Sequence, residues 1–345
     1  MQRIPLFGLG IATVMVLSLE PVVLAEGQFL TNGLLPSVPV PVDNPQTDAK
    51  IRLGKQLYFD TRLSADNTIS CATCHIPKTG WANNSPTDTG IKGQVGGRNS
   101  GSIINSAYMR VQFWDGRAAS LEEQALGPIH NPIEMGETLE NVISKLNAIP
   151  GYLEQFRTVF GTDVTTEGIG KAIASFERTI IAGPSPYDLY LQGQKDALSP
   201  AALRGLRIFN GKGHCSPCHS GPSFSDQSYH NLGVGMDKAN PDLGREAVSK
   251  DPKDRGRFKT PTLRNTAQTP PYLHDGSEAS LRDVVELYNR GGVPNPSLDA
   301  LVFPLHLTES EKADLVVFME ALTGPVPEVA VPDLPKNAGE NGGGQ

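Results

Sequence analysis

Cys71-Ala72-Thr73-Cys74-His75 and Cys215-Ser216-Pro217-Cys218-His219 decide how this chain folds. In each stretch two thiols one helical turn apart are followed at once by a histidine. That C-x-x-C-H spacing lets the thiols bond covalently to the vinyl groups of a haem while the histidine is carried beneath the ring as an iron ligand. With 4 Cys and 7 His in 345 residues, one such motif is expected by chance on the order of one time in a thousand. The two copies stand 144 residues apart and use every cysteine of the chain. They predict two covalently bound haem c groups, attached at Cys71, Cys74, Cys215 and Cys218, with His75 and His219 as proximal iron ligands. Structural zinc also uses C-x-x-C pairs, but a histidine directly after each pair suits it less well. A disulfide framework belongs to much shorter secreted chains.

A length of 345 residues accommodates two ordinary domains, and 38% hydrophobic residues suffice for their cores. The net charge of −7 argues against a nucleic-acid partner and leaves room for local patches that dock a redox protein. Residues Arg3 to Ala25 combine a positive start, an apolar run from Ile4 to Leu19 and the small-residue ending Val23-Leu24-Ala25. This pattern predicts a cleaved export signal over residues 1–25. An uncleaved anchor is the alternative, although the run is short and broken by Glu20-Pro21. Because haem c is attached outside the cytoplasm, a periplasmic location is expected.

Residues Gln28 to Pro45 read as an arm laid over the surface. Apolar periodicity and caps then predict helices from Asp48 to Phe59, Ser120 to Leu126, Thr138 to Leu146, Tyr152 to Phe160 and Thr166 to Ile181. Residues Pro77 to Gly101 are dense in Gly, Asn, Thr and Pro and read as a long loop. Gly183-Pro184-Ser185-Pro186 marks a domain boundary, giving an N-terminal haem domain over 46–183 and a C-terminal one over 184–324. In the latter, Ser199-Pro200 opens a helix leading to the second motif, Gly221 to Arg257 form a second loop, and helices follow at Ser280 to Tyr288 and Thr308 to Leu322. Residues 325–345 are rich in Pro and Gly and predict a disordered tail. No strand pattern is sustained, so the fold is mainly α.

Residues Ser102 to Leu121 align without gaps on Thr262 to Leu281 at an offset of 160, matching Asn105 with Asn265, Asp115-Gly116 with Asp275-Gly276, and Ala119-Ser120-Leu121 with Ala279-Ser280-Leu281. The chain reads as two cytochrome c-like haem units related by internal duplication, and the differences between them indicate function. Pro128 aligns with Tyr288, so a phenolate is available to the second iron where the first is offered nothing; a buried aromatic in an amphipathic helix is the alternative for Tyr288. Between His75 and Trp114 the only soft ligand is Met109. The first haem is therefore expected to keep an open face that binds peroxide. Glu134 and Gln124 are the candidates to move a proton there, and their counterparts Pro294 and Val284 cannot do this work. A solvated helix-end glutamate is the alternative for Glu134, and His130 is a further candidate that also reads as structural. Trp114, aligned with His274, is either a carrier of charge between the haems or a core filler.

These residues resemble a known family. The two haem motifs, Gln112-Phe113-Trp114-Asp115-Gly116-Arg117-Ala118, Asn131-Pro132-Ile133-Glu134-Met135, Phe258-Lys259-Thr260-Pro261-Thr262-Leu263-Arg264-Asn265 and Pro271-Tyr272-Leu273-His274-Asp275-Gly276 resemble the bacterial dihaem cytochrome c peroxidase and MauG family over roughly Asp48 to Gly324. The resemblance implies a periplasmic peroxidase that reduces hydrogen peroxide to water. Its electrons would come from a small cytochrome c or cupredoxin, and a homodimer is common among such peroxidases. It further implies that Glu134 and Gln124 form the distal pair and Trp114 the inter-haem tryptophan. Asn99, Thr269 and Pro271 look like the family's calcium site, with oxygen ligands suited to a hard cation. Two departures stand out: no histidine follows the first motif in the loop where the peroxidases carry one, and Tyr288 replaces their methionine as in the MauG type. The alternatives are thus MauG-type oxidation of a protein partner and a non-catalytic dihaem electron-transfer cytochrome.

Overall fold

The computed structural model describes residues 33–337; the expected export signal lies outside them. Eleven α-helices are formed there: α1 Asp48–Phe59, α2 Cys71–Cys74, α3 Leu121–His130, α4 Leu139–Asn147, α5 Pro150–Phe160, α6 Thr166–Glu177, α7 Pro186–Leu191, α8 Pro200–Asn210, α9 Glu246–Ser249, α10 Leu281–Asn289 and α11 Glu309–Glu320. Their starts follow from local chemistry. Thr47, Ser120, Thr138, Thr165, Ser199, Ser280 and Thr308 each stand at an N-cap and accept a backbone N–H of the first turn. Two-residue strands, β1 Tyr229–His230 and β2 Phe258–Lys259, pair antiparallel. No helix among the described residues is long and apolar enough to cross a membrane.

The described residues belong to one compact unit, within which buried apolar side chains gather into two cores on either side of Gly183. In the first, α1 packs on α6. Their contact is so close that a β-carbon at Gly54 would stand 1.8 Å from the Ala172 carbonyl oxygen. In the second, α8 packs on α11, and a β-carbon at Gly205 would stand 2.0 Å from the Asp314 oxygen. Each crossing is sealed by edge-on aromatic rings: Tyr58 against Trp81 and Phe176 in one, Phe209 against Phe224 and Phe318 in the other. In each set the three rings come from the helix before the haem motif, the loop after it, and the last helix of that core.

The aligned segments also share backbone geometry. Asn105 and Asn265 take φ of 62° and 60°, Gly116 and Gly276 of 66° and 65°. Gln112 bridges to Ala118 as Tyr272 does to Glu278. Between the segments two hydrogen bonds are exchanged: the Asn99 N–H donates to the His274 carbonyl and the Lys259 N–H to that of Trp114, each at 2.7 Å. Position 99 plus 160 is 259 and 114 plus 160 is 274, so each bond is the other with its two ends swapped between halves.

The chain at Gly183 to Pro186 runs directly into α7, because Ser185 and Asp188 form a capping box. Two expectations are corrected. The helix predicted to Ile181 ends at Glu177. Residues 325–337, expected to be disordered, lie on the first core: Val326 and Val329 pack against it, and the carbonyls of Asp333 and Pro335 accept bonds from Gln56 and Arg62. Apolar valines among the prolines supply the burial that composition concealed.

The glycine crossings generate a test. Gly54→Ala and Gly205→Ala should each force the helices apart and lower unfolding free energy by about 1–3 kcal/mol, read from denaturant midpoints.

Candidate functional site

One cavity of about 830 Å³ runs between the cores and is lined by both C-x-x-C-H motifs. The first motif is held by Ser70, which makes a capping box with Thr73, so that α2 projects its cysteines and ends on His75. All four thiols are free and partly buried. Burial pushes Cys74 and Cys215 up to about 12 and Cys71 higher still, so these three sulfurs are neutral thiols. His219 directs Nδ1 at the Phe224 carbonyl, 3.0 Å away, and burial holds its pKa down to about 4. The ring is therefore neutral, with Nδ1 as the protonated nitrogen and Nε2 left with a lone pair for a metal. His75 is likewise buried with its pKa lowered, and its Nδ1 has no partner of hydrogen-bonding geometry. A roomy cavity, unmodified thiols and neutral imidazoles make a donor set that fits two haem groups.

Helix α3 brings Gln124 and Pro128 to the cavity, and the turn after it brings Glu134 within electrostatic reach of Cys71 and Cys74. Asn131 donates from Nδ2 to Glu134 Oε1 at 2.7 Å. Burial raises the Glu134 pKa, while the Arg117 cation and the Asn131 bond oppose the rise. His130 is not brought in: it is exposed and its Nδ1 meets the Leu126 carbonyl of its own helix at 2.9 Å. Opposite the second motif, α10 presents Leu281, Val284, Val285 and Tyr288. The Tyr288 hydroxyl is pushed well above its ordinary value, first by burial and then by the nearby thiols of Cys218 and Cys215. Pro128 and Tyr288 thus both face the cavity, as do Gln124 and Val284.

The seam between halves carries Trp114, whose Nε1 donates to the Asn99 carbonyl at 2.9 Å. The Asn99 side chain donates to the Ser85 carbonyl at 3.0 Å. Asn99, Thr269 and Pro271 all line the cavity, as does Met109. Phe258 stacks on His274 with centroids 3.7 Å apart. Arg98 clamps the seam by binding Asp242 through Nε at 2.6 Å and Asp115 through an Nη at 2.7 Å.

Sequence reading missed several cavity residues. Glu177 at the end of α6 is buried, its Oε2 has no partner, and burial pushes it up to about 8. His230 stands between Asp299 at 2.8 Å and Asp226 at 3.0 Å, and contact with Cys218 and these carboxylates holds it up to about 10. Lys259 lines the seam. None lies in a spacing that marks it, since each is brought in by tertiary packing.

Comparison with known proteins gives consistent results. A family model for di-haem cytochrome c peroxidase matches residues 48–196. The chain is 40% identical over 320 residues to the cytochrome-c peroxidase IdrP1 of Pseudomonas sp. (strain SCT), covering 84% of each chain. It is 39% identical over 303 residues to the methylamine utilization protein MauG of Methylorubrum extorquens, covering 87% of this chain and 85% of that one. Its fold resembles the crystal structure of a MauG-like protein associated with microbial copper homeostasis, with a TM-score of 0.77 and 31% identity over 84% of this chain and 95% of that one.

Proposed function

The chain belongs to the di-haem cytochrome c peroxidase family, and from that premise we propose how its residues divide the reduction of hydrogen peroxide to water. It is a mainly helical oxidoreductase acting on peroxide, with two haem groups. In our reading Cys71 and Cys74 attach one haem and Cys215 and Cys218 the other, with His75 and His219 as proximal ligands. The two halves arose by duplication, a view supported by their repeated turns and exchanged hydrogen bonds.

The observation that carries the assignment of roles is an asymmetry of the cavity lining: Glu134 acts electrostatically on Cys71 and Cys74 of the first motif, whereas Tyr288 lies near Cys215 and Cys218 of the second, and Gln124 lines the cavity where the aligned residue is Val284. A haem iron supplies the site where peroxide binds and the redox equivalents that break its O–O bond. Glu134 accepts the proton from one peroxide oxygen and returns it to the other, which departs as water. Its raised pKa brings the carboxyl nearer to neutrality, where it can do both. Asn131 aims the carboxylate and the Gln124 amide orients the peroxide. Per peroxide, two electrons and two protons enter and two waters leave. Trp114, fixed by its bond to Asn99, would relay charge between the halves, and Tyr288 would be the side chain offered to the second haem. Asn99 with the carbonyls of Thr269 and Pro271 would hold one calcium ion. Electrons come from a small cytochrome c or cupredoxin, in the periplasm, and the working form is a homodimer.

A second reading, MauG-type oxidation of a protein partner, is favoured by one observation: the cavity residue near Cys215 and Cys218 is Tyr288, an oxygen donor. An oxygen ligand there lowers the potential and makes that haem a poorer entry point for electrons.

Four outcomes are expected. Glu134→Gln should lower kcat/KM for peroxide by about 10²–10⁴-fold with haem content unchanged; an unaltered rate removes the proton-transfer role. The carboxylate is the accepting form and its pKa is raised, so activity should fall on acidification at a higher pH than for an ordinary glutamate, and Asn131→Leu should move that limb higher still. Replacing Cys71 and Cys74 with Ser should halve the covalent haem measured as pyridine haemochrome. Tyr288→Met should raise the second haem's potential in a redox titration, and comparing peroxide turnover with cytochrome c against a protein substrate separates the two readings.

A further inference from the structure

Four lysine and arginine side chains line the cavity: Arg98, Arg117, Lys259 and Arg264. Arg98 is bound by Asp115 and Asp242, Arg117 by Asp115, and Arg264 by both oxygens of Asp188 at 2.9 and 3.0 Å. Lys259 differs from the other three. Among the described residues its ammonium makes no ion pair, and burial alone acts on it, lowering its pKa to about 8. Its main chain has little freedom to carry the side chain elsewhere. The N–H is bound to the Trp114 carbonyl at 2.7 Å, β2 pairs with β1, and the next residue bonds to the Ser228 carbonyl at 2.9 Å. An ammonium held in a low-dielectric wall without an anion is costly, and the cost is removed when a carboxylate occupies the cavity beside it.

We propose that Lys259 forms an ion pair with a haem propionate at the seam between the two halves, an inference that rests on the cavity holding two haems. The propionates are the carboxylates that such groups bring into an otherwise largely apolar cavity, and no acidic side chain competes for this ammonium. The duplication makes the arrangement one-sided. The position matching Lys259 in the first half is Asn99, a neutral amide that donates to the Ser85 carbonyl, so the ammonium serves one haem only. A positive charge at a propionate favours the reduced iron, and Lys259 therefore raises the potential of the haem it touches.

The test uses the mature enzyme. Lys259→Met, Lys259→Gln and Lys259→Arg are prepared, and covalent haem is counted first, since fewer than two per wild-type chain would defeat the dihaem reading and this inference with it, whereas two haems leave the propionate contact to be judged by itself. Resonance Raman spectra of the propionate bending bands and redox titration of both haems are then recorded. Lys259→Met and Lys259→Gln should shift the propionate band of one haem and move its potential to more negative values, with Lys259→Arg restoring both. Unchanged bands and potentials in Lys259→Met with both haems in place overturn the proposal. If that variant does not mature, equal potentials in Lys259→Gln and Lys259→Arg overturn it instead.

Discussion

Two backbone hydrogen bonds, from Asn99 to His274 and from Lys259 to Trp114, set the relation of everything else. Each ties a loop of one half to the turn of the other, so neither wall of the cavity can shift without breaking a bond in the opposite wall. A buried amide that loses its acceptor costs about 1–3 kcal/mol, which makes the exchanged pair a register lock. The lock also places Trp114. Its carbonyl is held by one half and its indole N–H by the carbonyl of Asn99, the residue whose own N–H reaches His274. The indole is thereby fixed at the seam from two directions, the condition for a dependable path between two redox centres. Arg98 adds an ionic tie across the same boundary through Asp115 and Asp242.

Much of this was legible in the sequence because short-range chemistry dictated it. The spacing in Cys71 to His75 and Cys215 to His219, the Ser and Thr caps of the long helices and the 160-residue offset between Asp115-Gly116 and Asp275-Gly276 are all local patterns. Glu134 could be singled out by comparing it with Pro294, its partner at the 160-residue offset. What stayed hidden depends on partners far away in the chain. Glu177 reads as one more helical carboxylate until α6 is seen to turn it toward the cavity. His230 is unremarkable until Asp299, 69 residues on, closes over its Nδ1. The segment 325–337 looked unstructured because its valines are few, yet a ready-made apolar surface on the first core is enough to hold them.

The segments that align at an offset of 160 share their turns, and within the helix that follows each of them single side chains differ. At the position where α10 carries Tyr288, α3 carries Pro128. Proline removes the reach of any side chain toward the cavity and also lacks the N–H that the Gln124 carbonyl would accept one turn back. Gln124 thus belongs to a turn of helix with one main-chain bond missing, beside the space that the substitution opens. In α10 no proline interrupts that turn, and its apolar residues Val284 and Val285 line the cavity together with Tyr288. The same exchange sets Gln124, and beyond it Glu134 with its carboxyl raised by burial yet restrained by Arg117 and Asn131, where the aligned positions of the other half carry Val284 and Pro294, neither of which can exchange a proton.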